Sequence, residues 1–200
     1  MAFSLSPGTY DAATMPPGDL YRVLTQLVVP RPIALVSSVS GAGVQNLAPF
    51  SFFMVGGSNP GSVVVSPTLN GQGQPKDTLR NVRETAHFVV NLVDRAMVDG
   101  MNQASRNLPP DESEWGWTAF SAVEGAHGPA WRVAESPASL ECRLHQVVEH
   151  GVGPSAARYI IGEVLALHVT RTDGAMIARL GGPDYLDLRD GTTFALSRPS

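Results

Sequence analysis

Apolar positions over residues 19–29 recur at helical spacing. Leu20, Val23, Leu24, Leu27 and Val28 fall on one face, and Asp19 stands where a helix N-cap is expected. Pro30 and Pro32 end that helix, because proline lacks an amide donor and holds the preceding residue in extended geometry. The period then changes. Residues 33–40 (IALVSSVS) read as a strand, 40–43 (SGAG) as a turn, and 44–53 (VQNLAPFSFF) as a returning strand. Pro49 cannot donate to a ladder, so the return is expected to bulge or to lie at a sheet edge across 48–50.

Residues 62–66 (SVVVS) form a continuous apolar strand, followed over 69–75 by a loop rich in Gly, Asn and Gln. Asp77 or Thr78 is placed to cap a short helix in which Leu79, Val82 and Arg83 follow at helical spacing. Residues 87–93 (HFVVNLV) read as a strand, and Asp94 as the cap of a helix reaching 104. Strands are expected over 138–148, 156–169, 175–180 and 185–188. Within 159–169 the alternation is irregular, with Glu163 and His168 among apolar neighbours, as on a barrel strand with one wet face. Short strands at regular intervals with few long helices favour an all-β barrel with short peripheral helices over a parallel α/β sheet. Neither a repeat nor a linker divides the chain. One domain over 1–200 is expected, with an irregular lead over 1–18 and an irregular insertion over 105–137.

With 43% apolar and 16% charged positions among 200 residues, the chain can bury a core. Its net charge of −4, with no cluster of Lys and Arg, argues against nucleic acid or an anionic membrane as partner. Cys142 is the only cysteine, which excludes an internal disulfide and a multi-thiolate metal site and fits a reducing, cytoplasmic location. No apolar run approaches the ~18 residues of a membrane span. Cys142 and His145, an odd number of positions apart on one strand, should diverge, so no metal site is expected. Glu163 reads as the partner of a cation or water. Trp115, Trp117 and Trp131 are open between contact with a cofactor and packing at a surface.

The segments richest in chemistry are 46–52, 65–67 and 76–78. A proline at a sheet edge leaves backbone groups free for a flat heterocycle with donors and acceptors along its rim. Lys76, Asp77 and Thr78 at a helix start combine a cation, a hydroxyl and unpaired amides, a setting suited to phosphate, and Ser66 can add a second hydroxyl.

Seven strings in order, RPIALVSSVS (31–40), NLAPFSFF (46–53), SNP…VVVS (58–66), KDTLRNVRET (76–85), FVVNLV (88–93), IIGEVLALHV (160–169) and RLGGPDYLDL (179–188), resemble the flavin reductase-like proteins with an FMN-binding split barrel, flavoredoxin-type members included. The resemblance does not extend to 67–75 or 105–137. It implies a Greek-key-like split barrel and a homodimer with non-covalent FMN near the subunit interface. Ring contacts would come from Asn46, Leu47, Ala48, Pro49, Phe50 and Ser51. Phosphate and ribityl contacts would come from Ser66, Lys76, Asp77 and Thr78, with Arg31 a further cation. No catalytic side chain is required, because flavin carries the chemistry. The implied activity is an NAD(P)H-dependent flavin reductase, passing electrons to free flavin, a partner monooxygenase or another acceptor. A flavoredoxin-like electron carrier and a non-catalytic FMN-binding or structural dimer are the rivals.

Overall fold

The computed structural model describes residues 6–173 and 176–199. Helix α1 spans Pro17–Leu27 and begins two residues earlier than the spacing predicts. Proline at N1 loses no bond, since that amide has no intrahelical acceptor, and Asp19 therefore lies inside the first turn rather than at the cap. Its apolar stripe is only partly covered: Val23 is buried, but Leu27 and Val28 are 66% and 60% exposed. Strand β1 (Arg31–Pro32) follows, then the hairpin of β2 (Ala34–Val39) and β3 (Gln45–Phe50), turned at Gly43 with φ +86°, a conformation glycine adopts without strain. Strands β4 (Phe53–Ser58) and β5 (Gly61–Val65) form the next hairpin.

Helix α2 (Asp77–Thr85) has Lys76 at its N-cap, not Asp77 or Thr78. Both predicted caps are engaged elsewhere, Asp77 by Arg80 and the Thr78 hydroxyl by the Asn46 amide. Strand β6 (His87–Leu92) leads to Asp94, whose carboxylate accepts from the amides of Ala96 and Met97. It caps a 3₁₀ turn that runs into α3 (Val98–Gln103). The stretch 105–137 is irregular apart from a 3₁₀ turn at Glu114–Trp117 and the short pair β7 (Ala122–Val123) and β8 (Arg132–Val133). Long strands β9 (Ala138–His150) and β10 (Ala157–Val169) are followed by β11 (Ile177–Arg179), β12 (Asp184–Asp187) and β13 (Thr193–Ala195). Ala175, the expected start of a strand, lies outside the described residues.

Seven antiparallel strands form one sheet in the order β3-β2-β6-β9-β10-β5-β4. Its two edge strands are consecutive in the chain. The step from Phe50 to Phe53 spans at most ~11 Å, so the sheet must curl until its edges nearly meet. The result is a barrel split between β3 and β4. Strand β3 pairs with β2 alone, the edge position that Pro49 requires. The Leu47 amide points out of the sheet to Glu114, and antiparallel alternation places Pro49 in the same phase, so the proline removes no ladder bond.

The sheet separates two cores. Inside the barrel, Val36, Phe50, Val65, Phe88, Val90 and Ile160 pack together, and Leu79 and Val82 of α2 fill one end. On the outer face of β2 and β3, Leu35 and Leu47 meet Met97, Met101, Trp115 and Tyr185. Strand β2 is therefore buried on both faces, Ser37 and Ser38 included. The irregular alternation of the long strands has a local cause: His145 on β9 and Leu165 on β10 are extra residues at register shifts. A second sheet, β1-β11-β12-β13, ties the segment after α1 to the later chain. No described helix is long and apolar enough to cross a membrane.

Candidate functional site

A broad cleft of about 2350 Å³ opens between the split edge of the barrel and the small sheet with α1. One wall is β3, whose outer backbone has no strand partner, continued by Ser66 and the first turn of α2. The lining continues with Arg31, Arg179 and Tyr185 on β1, β11 and β12. Met101 and Glu114 line the cleft on the side of α3.

Its charge is opposite to that of the whole molecule. Seven of the 14 basic residues line the cleft, with only three of the 18 acidic ones, although the net charge is −4. Lys76 is the chain's only lysine. Its side chain is exposed to the cleft, with its ammonium 5.8 Å from the centre of the Phe50 ring. Protein on several sides limits the water around it. Desolvation first, and then the charge of Arg198, hold its pKa below the ordinary 10.5. At the start of α2 the amides of Asp77 and Thr78 have no intrahelical acceptor.

Arg31 is buried and fully engaged. Its Nη1 donates to the carbonyls of Thr25 and Val28, its Nη2 to Leu180 at 2.6 Å, and its Nε to the Ser51 hydroxyl at 3.4 Å. A cation on the last carbonyls of α1 complements the helix dipole, and the guanidinium fastens α1, β1 and the β11–β12 turn together. Desolvation lowers its pKa, Tyr21 opposes the shift and Arg179 adds to it. Arg179 donates to the Tyr185 hydroxyl at 2.6 Å and stacks on that ring. Glu114 is 6% exposed, and its carboxylate accepts from the Leu47 amide at 3.0 Å. Burial raises its pKa, and the backbone hydrogen bonds offset only part of that rise.

The chain matches the flavin reductase like domain over residues 26–183. It belongs to that family. Membership carries flavin binding and flavin oxidoreductase chemistry in general. An uncharacterised protein of Halalkalibacterium halodurans is 38% identical over 192 residues, covering 90% of this chain and 91% of the relative. The structure is similar to nitrilotriacetate monooxygenase component B from Bacillus cereus, with TM-score 0.86, 32% identity and coverage of 96% and 100%. It is also similar to the 2-nitrobenzoate 2-nitroreductase NbaA of Pseudomonas fluorescens, with TM-score 0.79, 25% identity and coverage of 96% and 99%.

Within this family member, Asn46, Ala48, Pro49, Phe50 and Ser51 line the cleft together with Ser66, Lys76, Asp77 and Thr78. The structure brings the three sequence segments to one place. Leu47 does not line the cleft: its side chain is fully buried in the outer core, and its amide is held by Glu114. Asn46 and Thr78 are also buried, at 5% and 2% exposure, and bond to each other at 3.1 Å with Ser38 and Asn81 beside them. They brace the mouth of α2 against β3.

None of the three tryptophans lines the cleft. Trp115 and Trp131 pack edge to face in and against the outer core, and Trp117 lies under the Arg106 guanidinium. Glu163 pairs on the barrel surface with Arg143 at 2.9 Å, away from the cleft. Cys142 points into the barrel while His145 is exposed. Glu114, Arg179, Tyr185 and Arg198 escape sequence reasoning because they come from the irregular stretch and the short last strands. One signal was present throughout: an amine that occurs once in a chain of 13 arginines invites the question of where it sits.

Proposed function

We propose that the chain binds FMN in this cleft and works as an NAD(P)H-dependent flavin reductase. The observation that carries this reading is the pairing of the only lysine, at the mouth of α2, with the strand edge that Pro49 leaves unpaired. Lys76 would hold the phosphate with the amides and hydroxyl of the α2 start and Ser66. The ring would lie along the outer edge of β3, where carbonyls in phase with the Leu47 amide are free to receive its donors. The residues fit an anionic, flat ligand: the cleft concentrates cations, and its walls alternate aromatic and polar groups.

When bound, the flavin supplies a hydride acceptor at its N5. This chain's residues bind, orient and limit water: Phe50 lies beside the phosphate lysine, Arg31 fixes Ser51, and Glu114 fixes the backbone of β3. The cleft exceeds the ~300–1,000 Å³ of a usual small-molecule pocket, which leaves room for a nicotinamide beside the flavin. The similarity to a monooxygenase component B supports a partner oxygenase as acceptor of the electrons. A second copy would cover the exposed side chains of α1, Leu24, Leu27 and Val28, giving a homodimer that light scattering detects.

Stopped-flow mixing of the FMN-loaded protein with NADH or NADPH tests the activity. Bleaching of the flavin band by either nicotinamide supports the reductase. Bound FMN that neither donor bleaches leaves the flavoredoxin-like carrier, and absence of FMN binding leaves a structural dimer.

A further inference from the structure

The segment after β13 lines the cleft with Leu196, Ser197 and Arg198. Strand β13 pairs with β12, the Leu196 amide then donates to the Pro183 carbonyl at 3.0 Å, and the Ser197 carbonyl accepts from Asn102 of α3 at 2.8 Å. Leu196 is thus fixed by a backbone bond to the small sheet and Ser197 by the side-chain amide of Asn102 on α3. Arg198 comes next, exposed, lining the same cleft as Lys76.

Among the described residues Arg198 has no ion-pair or hydrogen-bond partner. The three carboxylates of the cleft do not answer it: Asp77 is paired with Arg80, Glu114 is held by the Leu47 amide, and Asp184 forms no ion pair among the described residues. Arg198 lines the same cleft as Lys76 and Tyr185, and its charge acts on both the Lys76 ammonium and the Tyr185 hydroxyl. Two cations held near each other without a counter-charge repel. A ligand carrying two negative charges at that point relieves the repulsion and gains two charge-assisted contacts.

We infer that Arg198, carried by the 196–198 strap, joins Lys76 in gripping the terminal phosphate of the bound ligand. This rests on the reading that a phosphorylated flavin occupies the cleft, and it adds to the lysine at the start of α2 a second cation carried by a different segment of the cleft lining. A terminal monoester phosphate gathers two charges on one phosphorus near neutral pH, whereas the diphosphate of FAD spreads its two charges over two phosphoryls and continues into the adenosine, so two cations on one point suit the monoester better. The grip thus favours FMN over FAD.

The single lysine makes the test specific. Acetylation of Lys76 is followed by site-resolved mass spectrometry while inorganic phosphate is titrated into the wild type, Arg198→Gln and Arg198→Lys. Phosphate is expected to slow acetylation of the wild type. The phosphate concentration for half-protection should rise about 5- to 20-fold in Arg198→Gln and stay within about 3-fold in Arg198→Lys. Equal protection in wild type and Arg198→Gln, or no protection in the wild type, overturns the inference. A second arm measures FMN and riboflavin binding. Loss of FMN affinity alone in Arg198→Gln supports the grip, whereas equal loss for both flavins assigns the strap a steric role and overturns it. If the wild type binds neither flavin while phosphate still protects Lys76, the FMN reading fails and the two-cation site stands.

Discussion

The chain has one cysteine and one lysine, and they mark two regions built on different physics. Cys142 lies inside the barrel among Phe88, Val90 and Ile160, with 1% of its surface exposed and its thiol pushed up to about 12 by desolvation, with Glu141 adding to the rise. Lys76 lies in a cleft lined by cations and free backbone. The apolar interior around Cys142 gains from filling space, and the cleft keeps like charges close together at some cost to stability. A substitution inside should therefore move stability and leave ligand recognition intact, while one at the cleft mouth should do the reverse.

The sharpest break in that contrast comes from Gly162 on β10. A Cβ added there would stand 2.4 Å from Cζ of the Phe88 ring, and the neighbouring strands leave the ring little room to move. Gly162→Ala is expected to cost about 1–3 kcal/mol in urea unfolding, with FMN affinity of the folded fraction unchanged. An unaltered denaturation midpoint would show that the interior is looser than described.

Glu114 joins the two regions, because its carboxylate lines the cleft while holding a buried amide of β3. Glu114→Ala leaves the Leu47 amide without an acceptor and should cost about 1–3 kcal/mol, whereas Glu114→Gln keeps an oxygen there and should cost much less. Since burial raises its pKa, the ionised form is the disfavoured one. Its contribution is full below the ordinary carboxyl range and declines as pH rises through the elevated value. Equal unfolding midpoints for the two variants would remove the hydrogen bond from the account.

Glu141, outside the barrel on β9, behaves oppositely. Burial alone would raise its pKa, but the amides of Ala126 and His127 and the ring of His168 outweigh that, and the carboxyl titrates below 4.5. The stability it provides is present above pH 4.5 and is lost as pH falls through the depressed value. Glu141→Gln should therefore flatten the acid limb of the stability profile, and an unchanged limb would contradict this. The smallest effect is on labelling: N-ethylmaleimide should leave Cys142 untouched in the native protein and modify it in denaturant, with ligand making no difference to either.

The barrel was legible because its evidence is local. Runs such as 33–40 and 87–93 carry their strands in composition, and Pro49 announces an edge without knowledge of what lies beyond it. Strand β4 was not legible: its sequence FMVGGS has two glycines and mostly exposed side chains, and only pairing with β5 makes it a strand. For the site, the sequence placed Lys76, Thr78 and the 46–51 segment near one another. It could not place Leu47, because which face a residue of an edge strand presents depends on a second core formed by α3 and the Glu114 turn. Arg179, Tyr185 and Arg198 reach the cleft through the small sheet, whose register is set by pairings with no mark in composition.

Whether Lys76 holds the phosphate of a flavin is decided by calorimetric titration of Lys76→Gln with FMN and with riboflavin. FMN affinity is expected to fall about tenfold or more, the worth of one charge-assisted contact, with riboflavin affinity unchanged and the unfolding midpoint unmoved. Equal affinity of the variant and the wild type for FMN would contradict it.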